Sequence, residues 1–152
     1  GASNPFVWQP DYGTRIGIMP LGGTASQIRW KEIEPCYVFH EVNAFRQGDD
    51  VIIDLCRYES MFEGGVSIGG SGGNSLSRWT IGTGGSELSF NEQVISTASM
   101  ELPTHDRRFS GRKHQNGWLV IEVLERICCK AMQSRVKRKQ NRRERSETKR
   151  NI

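Results

Sequence analysis

Three histidines and four cysteines are the residues of this 152-residue chain best able to hold a metal or act as nucleophiles. His40 is the middle residue of the stretch Pro35-Cys36-Tyr37-Val38-Phe39-His40-Glu41-Val42-Asn43-Ala44-Phe45, at the downstream end of its apolar strand. Cys36, Val38 and His40 alternate with Tyr37 and Phe39, a period of two in a β-branched and aromatic run, which predicts a strand. Pro35 precedes it, where a missing amide does least harm. The alternation puts His40 on one face with Cys36 and Val38. A neutral imidazole there is a metal ligand if other ligands converge on it. From the residues alone the plainer reading is the stronger: a lone strand-end histidine is more often a hydrogen-bonded core or rim residue. His105 and His114 lie beside and within a polar stretch. Their spacing of nine suits no shared metal on one helix or strand pair, and both read as surface residues.

Cys36, Cys56, Cys128 and Cys129 show neither a C-x-x-C pair nor a zinc-ligand pattern. Cys36 and Cys56 each sit inside an apolar strand and read as small buried hydrophobes with free thiols. That usage points to a reducing, cytoplasmic location. No apolar run approaches the ~18 residues of a membrane-spanning helix, and the first residues do not resemble a signal peptide.

The elements that must position His40 are short strands and glycine-rich turns. Gly13-Thr14-Arg15-Ile16-Gly17-Ile18-Met19-Pro20 and Ile28-Arg29-Trp30-Lys31-Glu32-Ile33 read as strands ahead of it. Gln47-Gly48-Asp49-Asp50 is a turn by composition, and Val51-Ile52-Ile53-Asp54-Leu55-Cys56-Arg57-Tyr58 returns as a strong strand, so the two form a hairpin. Residues 61–74 are rich in glycine and poor in large side chains, as a flexible surface loop would be. Gly69-Gly70-Ser71-Gly72-Gly73 could be mistaken for a phosphate cradle, but no helix pattern follows to supply an anion-binding terminus. A second hairpin is expected from Leu76-Ser77-Arg78-Trp79-Thr80-Ile81, the turn Gly82-Thr83-Gly84-Gly85 and a returning strand through Ile95.

Several of these stretches resemble one family in order and spacing. Phe39-His40-Glu41-Val42-Asn43-Ala44-Phe45 is similar to the F-H-x-x-N-A-[YW] signature of the carotenoid cleavage oxygenases, which include lignostilbene and apocarotenoid dioxygenases and the retinal pigment epithelium isomerase. Gly13 to Pro20 resembles that family's G-x-R-[LI]-G-[VI]-[ML]-P. Trp30 is similar to the family's aromatic ahead of Pro35-Cys36-Tyr37. Gly48 to Tyr58 matches G-D-x-[VI]-[VI]-x-D-x-x-R-[YF]. Leu76 to Ile81 resembles L-x-R-W-x-[IL], with Gly82 where an Asp is usual. Met100-Glu101-Leu102-Pro103 resembles x-E-F-P, with Leu102 in place of Phe. Gly111-Arg112-Lys113-His114 resembles G-R-x-[HY].

The resemblance implies an all-β fold: a seven-bladed β-propeller holding a non-haem Fe(II) on its axis through four histidines from different blades. It implies that His40 is one of those iron ligands. It implies that Glu101 accepts a hydrogen bond from the other ring nitrogen of His40, fixing its tautomer and raising its donor strength. Without the resemblance, Glu101 would read as a solvent-facing loop carboxylate. The implied activity is cleavage of a conjugated double bond of a carotenoid, apocarotenoid or stilbene with O2, giving two carbonyl products. A chain of 152 residues is too short for seven blades of four strands. The expectation is therefore a piece of such an enzyme, about two blades in residues 1–117, inactive by itself and lacking the remaining blades.

The resemblance is carried to about Gly117. Residues 119–127 are partly amphipathic and helix-compatible, and residues 118–152 read as a basic helical or disordered tail. Residues 126–152 hold eleven of the chain's 21 Lys and Arg and two of its 17 Asp and Glu, leaving 10 basic and 15 acidic residues, a net of −5, before them. The whole-chain charge of +4 therefore describes the tail rather than the body. The tail reads as an out-of-frame or intron-derived extension, a solvated tail, or a basic arm for nucleic acid or an anionic membrane surface. No aromatic follows Trp118 to stack on bases, so any nucleic-acid contact would run through phosphates and be salt-sensitive; no nucleic-acid partner is expected, while peripheral membrane contact stays open. The competing function is a non-catalytic β-sheet module that binds a partner through its edges, with His40 on the rim and Glu101 far from it.

Overall fold

The computed structural model describes residues 5–63 and 73–121. They form eight strands in three antiparallel sheets. β1 (Thr14–Ile18) pairs with β2 (Arg29–Ile33). β3 (Tyr37–Gln47), β4 (Asp50–Tyr58), β5 (Asn74–Gly82) and β6 (Ser89–Ser96) make a four-stranded meander in sequence order. β7 (Met100–His105) pairs with β8 (Gly117–Ile121). The helical pieces among the described residues are three-residue 3-10 turns, so the fold is all-β. Four-stranded meanders of this kind are the unit from which propeller blades are built. No helix among the described residues is long and apolar enough to cross a membrane.

The meander is buried on both faces, which explains the nearly continuous apolar run at the start of β4. Val51, Ile53 and Leu55 point to one face and pack with Trp79, Ile81 and Leu88 beneath the β1–β2 hairpin, which contributes Ile16, Ile18 and Ile33. Cys56 points the other way and packs with Val42, Leu76, Met100 and Leu119 beneath the β7–β8 hairpin. Leu55 and Ile81 are almost completely enclosed; burying a side chain of that size stabilises by about 1.5–3 kcal/mol. The buried Cys36 and Cys56 are free thiols, as expected of small core hydrophobes.

The β3–β4 turn is a two-residue loop, Gly48-Asp49, closed by the Gln47–Asp50 pair. Gly48 has φ 63°, the left-handed value that a glycine in the first loop position of a type II′ turn supplies without strain.

Two expectations are corrected here. Met61 and Phe62 are buried, so the stretch read as surface loop begins in the core; its residues 64–72, with most of the glycine run, lie outside the described residues. The helix-compatible reading of residues 119–127 fails at its start, because Leu119 to Ile121 are in β8, paired with β7. Leu119 faces the core while Val120 is exposed, a period of two too short to be told from a helical stripe in sequence. Residues 122–152, with Cys128, Cys129 and the basic run, also lie outside the described residues.

Candidate functional site

β3 does not run in simple register against β4. Extra residues are inserted between Val38 and Glu41 and again between Glu41 and Asn43. These bulges break the alternation that would keep His40 with Cys36 and Val38. Cys36 and Val38 stay in the core, whereas the His40 side chain is 51% exposed. Bulges re-aim side chains in this way.

β7 brings the partner. The Asn74 side chain imitates a neighbouring strand, its Nδ2–H donating to the Met100 carbonyl at 2.7 Å and its Oδ1 accepting the Met100 N–H at 2.9 Å. The next residue, Glu101, places Oε2 2.8 Å from His40 Nδ1. Glu101 is no exposed loop carboxylate: it lies on a strand with its side chain 12% exposed. Its Oε2 also accepts the Leu102 N–H at 2.8 Å. Leu102 has φ 50° and precedes Pro103 inside a bulge of β7. A non-glycine residue in the left-handed region costs on the order of 1–3 kcal/mol. The strained peptide is the one whose N–H fixes the carboxylate.

With Nδ1–H donated to Glu101, neutral His40 carries an unprotonated Nε2 as its free lone pair. Glu101 Oε1 is buried without a hydrogen-bond partner among the described residues. Phe39 stacks beside His40 at 6.1 Å and joins Tyr37, Tyr58 and Phe62 in an aromatic cluster. Phe6, Trp8, Tyr37, Met61 and Phe62 line an open groove of about 400 Å3. Among the described residues no three His, Cys, Asp or Glu side chains converge into a metal-holding group. The described residues thus present one oriented imidazole, that of His40, with a free ring nitrogen.

The other two histidines depart from the surface reading. His114 has a side chain only 7% exposed, with Nε2 3.2 Å from Asp54 Oδ2. His105 is half-buried, and its Nε2 meets the Ser110 hydroxyl at 2.9 Å. Asp54 also receives two hydrogen bonds of 2.7 Å from Arg78. This polar cluster was missed in sequence. Its signal was Asp54 in the middle of a β4 run otherwise apolar from Val51 to Cys56, since a buried carboxylate requires partners.

The family model for retinal pigment epithelial membrane protein matches residues 1–147. A Mycobacterium tuberculosis carotenoid cleavage oxygenase is 44% identical over 82 residues, covering 51% of this chain and 16% of that protein. A Pseudomonas putida isoeugenol monooxygenase is 26% identical over 123 residues, covering 77% of this chain and 26% of that protein. The crystal structure of a Pseudomonas brassicacearum lignostilbene dioxygenase superposes with TM-score 0.68 at 25% identity, covering 80% of this chain and 27% of that one. A Synechocystis apocarotenoid oxygenase variant shares the fold at TM-score 0.60 and 21% identity, covering 74% of this chain and 24% of that one. The chain thus spans about a sixth to a quarter of the length of the relatives it matches. The extent of the family match and the agreement in fold lead to one conclusion: the chain belongs to the retinal pigment epithelial membrane protein family, that of the carotenoid cleavage oxygenases.

Proposed function

We propose that this chain is part of a non-haem Fe(II) dioxygenase that cleaves a conjugated carbon–carbon double bond of a carotenoid, apocarotenoid or stilbene with O2, yielding two carbonyl products. The observation that supports it most directly is the 2.8 Å contact between His40 Nδ1 and Glu101 Oε2. A ligating histidine donates its second ring N–H to a carboxylate in this way, which fixes the tautomer and raises ligand basicity. The competing binding-module reading needs the two groups apart. The names of relatives that act on carotenoids and stilbenes support the reaction class.

In this reading His40 Nε2 would hold the iron, together with histidines from other parts of the protein that carries this chain, since His105 and His114 are engaged elsewhere. A bound Fe(II) with open positions would supply the O2 chemistry. Glu101 holds the imidazole in its Nε2-donor form and places negative charge behind a site of otherwise neutral ligands. Leu102 N–H and the bulge keep that carboxylate in place. Phe39 and its aromatic neighbours form an apolar wall beside His40, suited to a polyene or stilbene and hostile to water.

The test is His40→Ala in the protein that carries this chain, with bound iron and O2-dependent cleavage of a stilbene and an apocarotenal as readouts. Loss of both is expected. Retention of both sinks the reading. The 152-residue chain alone is expected to cleave neither substrate.

A further inference from the structure

Asn43, Asp54 and Arg78 are cross-strand neighbours on β3, β4 and β5, in one row on the face beneath the β7–β8 layer. The segment between β7 and β8 lies against this row. Asn43 Nδ2 lies 3.0 Å from the Phe109 carbonyl, 2.9 Å from the Arg112 carbonyl and 3.3 Å from His114 Nδ1. Asn43 Oδ1 accepts the Gly111 N–H at 3.2 Å. These contacts fix the amide: a flipped Asn43 would set its oxygen against two carbonyls and its NH2 against an N–H. The two Nδ2 hydrogens go to the Phe109 and Arg112 carbonyls, so His114 Nδ1 faces an NH2 with nothing to accept a proton, while His114 Nε2 faces the acceptor-only Asp54 carboxylate. The proton of neutral His114 then sits on Nε2, aimed at Asp54 Oδ2 at 3.2 Å.

We propose that His114 is a positioning residue and a proton-sensitive latch: neutral and protonated on Nε2, it locks the segment after β7 onto β3 through Asn43, and a second proton on Nδ1 releases that lock. A proton on Nδ1 would confront the Asn43 NH2, donor against donor. Relieving that conflict means withdrawing an amide that also holds Phe109, Gly111 and Arg112. The groups that face His114 are Asn43 and Phe45 of β3, Asp54 of β4, Arg78 of β5 and His105 of β7. Burial lowers its proton affinity most; Asp54 opposes that, while Arg78 and His105 add to it. The adjoining cavity, lined by Val42, Asp54, Arg78, His114 and Leu119 among others, is about 20 Å3, room for one water at most. The latch bears on the reaction because Asn43 is in the bulged stretch that aims His40, and the latched segment follows the strand that holds Glu101. That link rests on the reading of His40 given above; the latch itself does not.

The test uses the protein that carries this chain, labelled with 15N-histidine, together with hydrogen exchange of the peptide covering residues 107–114 as a function of pH. At neutral pH, His114 should show the single Nε2–H tautomer. Its midpoint should fall below the ordinary 6.5. Between the ordinary 6.5 and that midpoint, protection of the Gly111 amide, corrected for intrinsic exchange, should fall about tenfold per pH unit, as for a one-proton opening, and level off beneath it. In His114→Gln, which keeps an N–H donor but takes no proton, protection should no longer follow pH. An Nδ1–H tautomer in the wild type, or Gly111 protection unchanged as His114 titrates, overturns the proposal. Neither readout depends on iron, so failure here is separate from failure of His40→Ala to lose metal.

Discussion

His40 Nδ1 and Glu101 Oε2 meet at 2.8 Å although 61 positions separate them in the chain. The contact joins two bulged strands from different sheets, and each bulge is needed for it. On the proposed reading, Glu101→Gln keeps an acceptor for the His40 N–H but removes its charge. Metal affinity should fall about tenfold, and Glu101→Ala should lose up to about a hundredfold. Iron titration of the two variants checks this. Equal affinity in Glu101→Ala and wild type would show that the carboxylate does not tune the imidazole.

The Asp54–Arg78 pair bridges β4 and β5 with two 2.7 Å bonds, and the Asp54 side chain is 5% exposed. Removing one partner of a buried pair costs about 3–5 kcal/mol. Arg78 is 29% exposed, so Asp54→Ala should cost nearer 3 kcal/mol. Asp54→Leu combined with Arg78→Met should recover part of that loss. Urea unfolding of the singles and the double measures the coupling, and strictly additive costs would mean the two residues act independently.

Acid should weaken the fold through His114. Its folded proton affinity is depressed, so the unfolded chain takes up a proton first as pH falls. The stabilisation is full above the ordinary 6.5 and is lost as pH drops from there through the folded value. Thermal unfolding between pH 7.5 and 5 should show a decline that His114→Gln flattens. An identical decline in the variant would assign the loss to other groups.

Burial pushes the Cys56 thiol up to about 12, with Glu101 adding to it, and raises Cys36 as well against the opposing Arg57. The thiolate is the reactive form. Iodoacetamide should therefore leave both unmodified in the folded protein and label both in urea. Peptide mapping resolves them, and prompt labelling of either in the folded state would contradict the packing.

Gly82 pairs with Ser89 across the β5–β6 hairpin, and a Cβ there would collide with the Ser89 hydroxyl. Gly82→Asp, which restores the family's usual residue, should destabilise by about 1–2 kcal/mol. Adding Ser89→Gly should return most of it. Thermal melts of the single and double variants decide this. A stabilised single would show that Ser89 turns aside at no cost.

The sequence alone determined the strands: alternating apolar runs bounded by glycine, proline and acidic turns leave little else for residues 14–58 and 74–96 to be. It also held the motifs that carry the family resemblance, and with them the pairing of His40 with Glu101. The residues by themselves said only that His40 ends an apolar strand and that Glu101 is one carboxylate among many. Tertiary structure decided the rest. The bulges of β3 and β7 depend on register, which no local pattern specifies, and they turn His40 outward and Glu101 beneath it. His114 looked like a surface residue because its own stretch is polar; it is buried because that stretch folds back over a carboxylate and a guanidinium set side by side by strand pairing. Burial of a short loop residue is fixed by what lies beneath the loop, and that is known only when distant strands have met.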